Sequence, residues 1–181
     1  MVAELNERLA PFRILTGIEV DILDDGTLDQ EADLLARLDV VVASVHSNLR
    51  ADSDTMTKRM VYAVANPNVD VLGHCTGRLV AGNRGIRPES SFDAELVFEA
   101  CRRYGTAVEI NSRPERLDPP SRLLRLAVEM GCQFSIDTDA HAPGQLDWQG
   151  YGCERAVANG VPADRIINSL PLSELLAFTA R

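Results

Sequence analysis

The chain has 181 residues, 45% of them hydrophobic, which suits one domain with a real core rather than two. No apolar run approaches the ~20 residues of a membrane span, and no charged-then-apolar leader opens the chain, so the expected compartment is the cytoplasm. Acidic residues outnumber basic ones by 27 to 18, a net charge of −9 that disfavours general nucleic-acid binding but lets phosphate be held locally where metal ions supply positive charge.

In chain order, Met1 to Leu9 reads as a short helix with Leu5 and Leu9 on one face. Residues 14–23 (ILTGIEVDIL) alternate and are rich in β-branched side chains, as a strand requires. Asp25-Gly26 turns the chain, and Asp29 is placed to cap a helix through Leu38. Residues 40–45 (VVVASV) form a strand buried on both faces, Thr55 to Val64 a helix, and 69–73 (VDVLG) a short strand. Gly77 to Pro88 is a loop rich in glycine and arginine. A helix opened by Ser91 or Asp93 ends at Tyr104, with Gly105 as its C-terminal cap. Thr106 to Ile110 is a strand, Pro119 to Met130 a helix, Gln133 to Ile136 a strand, and helices follow at 151–159 and 173–179. Five alternations of strand and helix with short links call for parallel strands with helices packed outside, as an open doubly wound sheet or a barrel.

The three histidines, His46, His74 and His141, each follow a predicted strand. In parallel α/β architectures the carboxyl ends of strands form the active-site rim. Glu19 and Asp21 alternate on the first strand and so share a face; Glu109 with Asn111, and Asp137, Asp139 and His141, alternate likewise. Carboxylates converging on one space repel, and the only lysine, Lys58, lies in a helix. Metal ions are the simplest counter-charge, and imidazole with carboxylate suits zinc, manganese or iron better than magnesium or calcium. The bland alternatives are a satisfied polar histidine at any one strand end, and turn or helix-cap roles for Asp21 and Asp137. Ser44 and Ser47 flank His46, but no Gly-x-Ser-x-Gly elbow accompanies them. Arg78 and Arg84 in GRLVAGNRG either grip an anionic substrate or belong to a solvated loop. The four cysteines are widely spaced with no Cys-x-x-Cys pair, and Cys75 should point away from its neighbour His74 on an extended strand.

The stretches GIEVDILDDGTLD, VVVASVHSNLR, VDVLGHCTGRLVAGNRG, AVEINSRPERLDPP and IDTDAHAPGQLDWQGYG resemble the polymerase and histidinol phosphatase (PHP) family, in particular the PHP domain of bacterial family X DNA polymerases and its stand-alone relatives. The resemblance covers nearly the whole chain as a single domain. It implies a distorted seven-stranded (βα) barrel of TIM-like type holding up to three divalent metals, zinc or manganese, that cleave phosphoesters. By position, Glu19 resembles the carboxylate bridging two metals, His46 and His74 its partners on the second, Asp139 a ligand of the first and His141 a ligand of the third. Asn111 matches a polar position near the site. The family's opening His-x-His strand has no counterpart, so about five of seven strands are expected. The expectation is then a fragment, whose open barrel would be closed by a second copy or another polypeptide.

Hydrolysis of a small phosphomonoester is the leading expectation, with 3′-to-5′ exonuclease cleavage at a nucleic-acid 3′ end beside it. Its rival from another class is a catalytically impaired metal-binding remnant or half of a split or oligomeric assembly. Amidohydrolase-like cleavage of a carbon–nitrogen bond is the third alternative, and lacks the barrel lysine.

Overall fold

A computed structural model of the chain describes residues 1–82 and 85–180. Helix α1 (Val2–Leu9) leads into strand β1 (Gly17–Asp21), followed by α2 (Ala32–Leu35), β2 (Val40–Ser44), α3 (Ser53–Val64), β3 (Val71–Leu72), α4 (Ala94–Tyr104), β4 (Ala107–Asn111), α5 (Ser121–Glu129), β5 (Phe134–Asp137), α6 (Gln149–Ala158) and α7 (Leu172–Thr179). The five strands form one parallel sheet in sequence order. Each crossover therefore moves one strand along in the same direction, as in a winding barrel and unlike a doubly wound sheet, whose order reverses. Among the described residues the sheet does not close: β1 and β5 are its edges.

Strand periodicity gives the sheet two unlike faces. Val20, Ala43, Leu72, Val108 and Phe134 lie in register across it and are fully or almost fully buried. They join Met56, Met60 and Val64 of α3, Val97 and Phe98 of α4, and Leu124 and Ala127 of α5 in the main core. Truncating one such leucine typically costs about 2–5 kcal/mol. The other face carries Glu19, Val42, Val71 and Ala107 in one row. Near the strand starts it is covered by Ile167, Leu170, Leu175 and Phe178, from the segment around α7. Towards the strand ends the same face turns polar, with Asp21 opposite Ser44, Glu109 opposite Ser135 and Asn111 opposite Asp137.

The outer edge of β5 carries one isolated parallel bridge, between Phe134 and Ile166, and is otherwise finished by a side chain. Asn168 accepts from the Ile136 N–H at 2.7 Å and donates to its carbonyl at 3.1 Å, in place of a neighbouring strand. Among the described residues no strand pairs with the outer edge of β1.

Local chemistry explains most element ends. Asp52 caps α3 by accepting from the Thr55 N–H, and Asp93, rather than Ser91, caps α4 by accepting from the Leu96 N–H. Gly105 ends α4 in the left-handed conformation, φ 72°. Asp29 departs from the expected role: α2 starts at Ala32 after Glu31, and Asp29 accepts instead from the Asp21 N–H at 3.0 Å. The backbone donor of the last residue of β1 competes with helix capping for the Asp29 carboxylate, and here it wins. Among the described residues no helix is long and apolar enough to cross a membrane.

Candidate metal centre

The strand ends of β1, β2 and β3 bring Glu19, His46 and His74 together. His46 Nε2 lies 3.2 Å from Glu19 Oε1, His74 Nε2 lies 3.4 Å from the same oxygen, and the two Nε2 atoms are 3.0 Å apart. The opposite ring nitrogens face carboxylates. His46 Nδ1 is 2.5 Å from Asp21 Oδ1, and His74 Nδ1 is 3.2 Å from Glu109 Oε2. Glu109 also accepts the backbone N–H of His74, which pins the residue at both ends.

A carboxylate at each Nδ1 favours the Nδ1–H tautomer once Nε2 is free to bind an ion. An imidazole whose Nδ1–H donates to a carboxylate presents a bare lone pair at Nε2. Two such lone pairs and one carboxylate oxygen then meet in a triangle with sides of 3.0 to 3.4 Å. Three acceptors so placed repel unless a cation lies among them, and a single shared proton satisfies only one side. Metal–ligand bonds of about 2.0–2.1 Å in a tetrahedron separate neighbouring ligand atoms by about 3.3 Å. The triangle matches that spacing, and the carboxylate behind each imidazole is the usual support of a metal-binding histidine. The residues therefore fit a divalent ion.

With no ion present, a proton takes its place between His46 and Glu19. Burial, the largest influence on Glu19, opposes its ionisation, but the hydrogen bond from His46 and the charges of His74 and His46 outweigh it and hold the carboxyl at about 2. His46 is raised, chiefly by its hydrogen bond to Glu19 and then by Asp21, against the opposing effect of burial. Asp137 is pushed up to about 7 by burial and by the negative charge of Glu109, with Glu19 adding to it. Its Oδ2 is buried without a hydrogen-bond partner among the described residues. The strand-end face thus holds more negative charge than its own side chains neutralise.

Backbone approach matters at Gly73. A Cβ there would sit 2.2 Å from Ser44 Oγ and 2.9 Å from Val42 Cγ1, so only glycine lets the backbone before His74 run this close to β2. Cys75 is buried on the core side, with its Sγ 3.9 Å from Asp118 Oδ1 and burial holding the thiol well above its usual range. It joins the main core and not the three-ligand cluster, although it lies in a turn after β3 rather than on an extended strand.

The remaining sequence candidates lie around a second centre. Asp139, its side chain 4% exposed, receives Arg116 Nε at 2.8 Å and has Arg113 Nη1 at 3.5 Å. His141 is mostly exposed, with Nδ1 2.8 Å from the Asp139 carbonyl and 3.3 Å from Arg113 Nη1. Asn111 joins the two centres: its Nδ2 donates to Glu109 Oε1 at 3.3 Å and to Asp139 Oδ2 at 3.4 Å. A continuous path therefore runs from His74 through Glu109 and Asn111 to Asp139, but Asp139 and His141 are not in the three-ligand cluster. Arg78 spends its donors within the protein, on the carbonyls of Arg116 and Leu117 and on Glu89 Oε1 at 3.2 Å. Arg84 lies outside the described residues. Sequence reasoning grouped Asp21 and Glu109 with the acidic residues at the strand ends without giving them a role. It had no signal for Arg113 and Arg116, whose partner Asp139 lies more than twenty positions away.

No family model matches the chain. Curated proteins do. The chain is 38% identical over 177 residues, 98% of its length, to the DNA polymerase/3′-5′ exonuclease PolX of Bacillus subtilis, and covers 30% of that protein. It is 35% identical over 175 residues to a protein of Thermoanaerobacter sp. named as a probable phosphatase, with 91% of this chain and 67% of the relative aligned. A protein of Shewanella oneidensis with the same name is 31% identical over 179 residues, 93% of this chain and 66% of the relative. The chain thus spans under a third of the polymerase and about two thirds of these phosphatases. With identity spread across nearly all of this chain, and with its five parallel strands in winding order, the chain belongs to the polymerase and histidinol phosphatase family, close to the domain that family X polymerases carry.

Proposed function

We propose that the chain is a divalent-metal-dependent phosphoesterase whose ion is held by Glu19, His46 and His74. The observation that carries this reading is the triangle of three ligand atoms at 3.0 to 3.4 Å, each imidazole backed by its own carboxylate. A bound divalent ion would acidify water near neutral pH and take up charge on phosphoryl oxygens. The chain's own residues supply the rest. Asp21 and Glu109 orient the two imidazoles and hold their tautomers. Asn111 links Glu109 to Asp139 and ties the two centres into one network. Arg113 and Arg116 are paired with Asp139, and Arg113 also with Glu115, so they would turn to an anionic substrate where Asp139 is drawn to an ion. Asp139 and His141 are further candidate ligands, Asp139 having to exchange its arginine contacts for an ion to serve as one. Zinc and manganese both suit the donor set.

The probable-phosphatase relatives favour a phosphomonoester substrate, and the net charge of −9 favours a small one. PolX, whose name includes a 3′-5′ exonuclease, favours a nucleic-acid 3′ end as the second reading. Manganese- or zinc-dependent phosphate release from a small aryl monoester, run beside digestion of end-labelled single-stranded DNA, tests both. Glu19→Ala and His74→Ala should abolish whichever activity is found. Full activity in either variant refutes the assignment. Metal stoichiometry tests the impaired-remnant alternative: a single ion without turnover supports it, and turnover overturns it.

A further inference from the structure

Arg59 lies on α3 among Met56, Met60 and Ala63, on the side that faces the core, and its side chain is 1% exposed. A buried guanidinium is costly unless its donors are satisfied. Here they are, entirely by the two loops that follow β1 and β2. Nε donates to the carbonyls of Ile22 and Leu23 at 3.1 and 2.8 Å, and Nη2 also donates to Ile22. Nη1 donates to the Ser47 carbonyl at 2.8 Å and lies 3.4 Å from Asp24 Oδ1, and Nη2 donates to Ser47 Oγ at 2.9 Å.

The positions held are informative. Ile22 directly follows Asp21, and Ser47 directly follows His46. The β1–β2 backbone ladder ends with the Ile22 N–H on the Ser44 carbonyl at 2.8 Å. Beyond it no backbone hydrogen bond between residues 22–24 and 45–48 is found among the described residues. Yet the Asp21–His46 contact, at 2.5 Å, sits just where the ladder stops. β1 is moreover an edge strand, with a partner on one side only.

We propose that Arg59 is a positioning residue of the metal centre, its guanidinium clamping the loops after β1 and β2 so that Asp21 stays against His46 and the His46 imidazole stays aimed at Glu19. This rests on the reading that Glu19, His46 and His74 hold a metal. Lysine cannot replace it, because one ammonium cannot span carbonyls on both loops as the planar fork does.

Cobalt(II) titration of the full chain, followed by visible absorption, tests the clamp in the wild type, Arg59→Gln, Arg59→Lys and Asp52→Ala. Asp52 caps the same helix through Thr55, at the far end of the loop from Ser47, and its side chain has no hydrogen bond to Arg59 or to Ile22, Leu23, Asp24 or Ser47, so its variant weakens α3 without opening the clamp. Arg59→Gln should lose about tenfold or more in cobalt affinity and shift the ligand-field bands, Arg59→Lys should recover little, and Asp52→Ala should match the wild type. Wild-type affinity and spectrum in a folded Arg59→Gln overturn the clamp and leave the metal reading standing. Equal losses in Asp52→Ala also overturn it, since affinity would then follow helix stability. A wild-type chain that takes up no cobalt overturns the metal reading, and the clamp with it. Should circular dichroism show Arg59→Gln unfolded, Arg59→Lys decides by the same criteria.

Discussion

Replacing Glu109 by glutamine separates support of the metal centre from ordinary packing. Glu109 is 4% exposed, accepts from both the backbone and the ring of His74 through Oε2, and accepts from Asn111 through Oε1. Glutamine has the same shape but one acceptor oxygen instead of two. With that oxygen towards His74, its amide nitrogen meets the Asn111 amide donor to donor. The contact to His74 also falls from charge-assisted, worth about 1.5–3 kcal/mol, to neutral, worth about 0.5–1.5 kcal/mol. The difference of about 1–1.5 kcal/mol is roughly a tenfold weaker metal affinity, within the range seen when outer partners of metal-bound histidines are removed. In the metal-free protein the loss of these contacts is partly offset. Glu109 is one of the charges that push Asp137 up, so removing it relieves repulsion on that face. Zinc competition against a chromophoric chelator, paired with thermal unfolding in chelator, reads both quantities. Unchanged affinity, or a loss that merely tracks a lower metal-free unfolding temperature, would refute the reasoning.

Two further outcomes follow from named contacts. In metal-free protein Asp137 holds its proton to about 7 while the unfolded chain releases it near the ordinary carboxylate value of 3.8, and His46 is raised above 6.5. Groups raised on folding stabilise the fold at low pH and lose that contribution as pH climbs through their folded values, so stability should fall from about pH 4.5 to 7.5. Asp137→Asn should flatten the fall in urea titrations across that range; an unchanged slope would remove Asp137 as its source. Gly73→Ala places a Cβ against Ser44 and Val42 and should destabilise the fold by about 1–3 kcal/mol and weaken metal binding, with Ser44→Ala partly restoring both. Neutral behaviour of Gly73→Ala in unfolding and titration would contradict the close approach.

The periodicity of the sequence was enough to specify the five strands and the faces they offer. Glu19 and Asp21 had to share a side because strand side chains repeat every two residues, and they bracket the two nitrogens of His46. The glycine after Tyr104 and the aspartate before Ala94 marked the bounds of α4 through local backbone chemistry alone. Where alternation ended, legibility ended with it. Asp139 continues the spacing of Asp137, but its positive φ of 51° turns it into the grip of Arg116. A period of two holds only while the chain is extended. Only the order of the strands puts Glu109 beneath His74, since adjacency of β3 and β4 is a tertiary fact. Only the tertiary structure buries Arg59, a residue that helix patterning alone would leave in water. Its acceptors are carbonyls left over where two parallel strands stop pairing, 36 or 37 positions before it and 12 before it. Local sequence determines which groups each element offers, and packing decides which of them, distant along the chain, must satisfy one another.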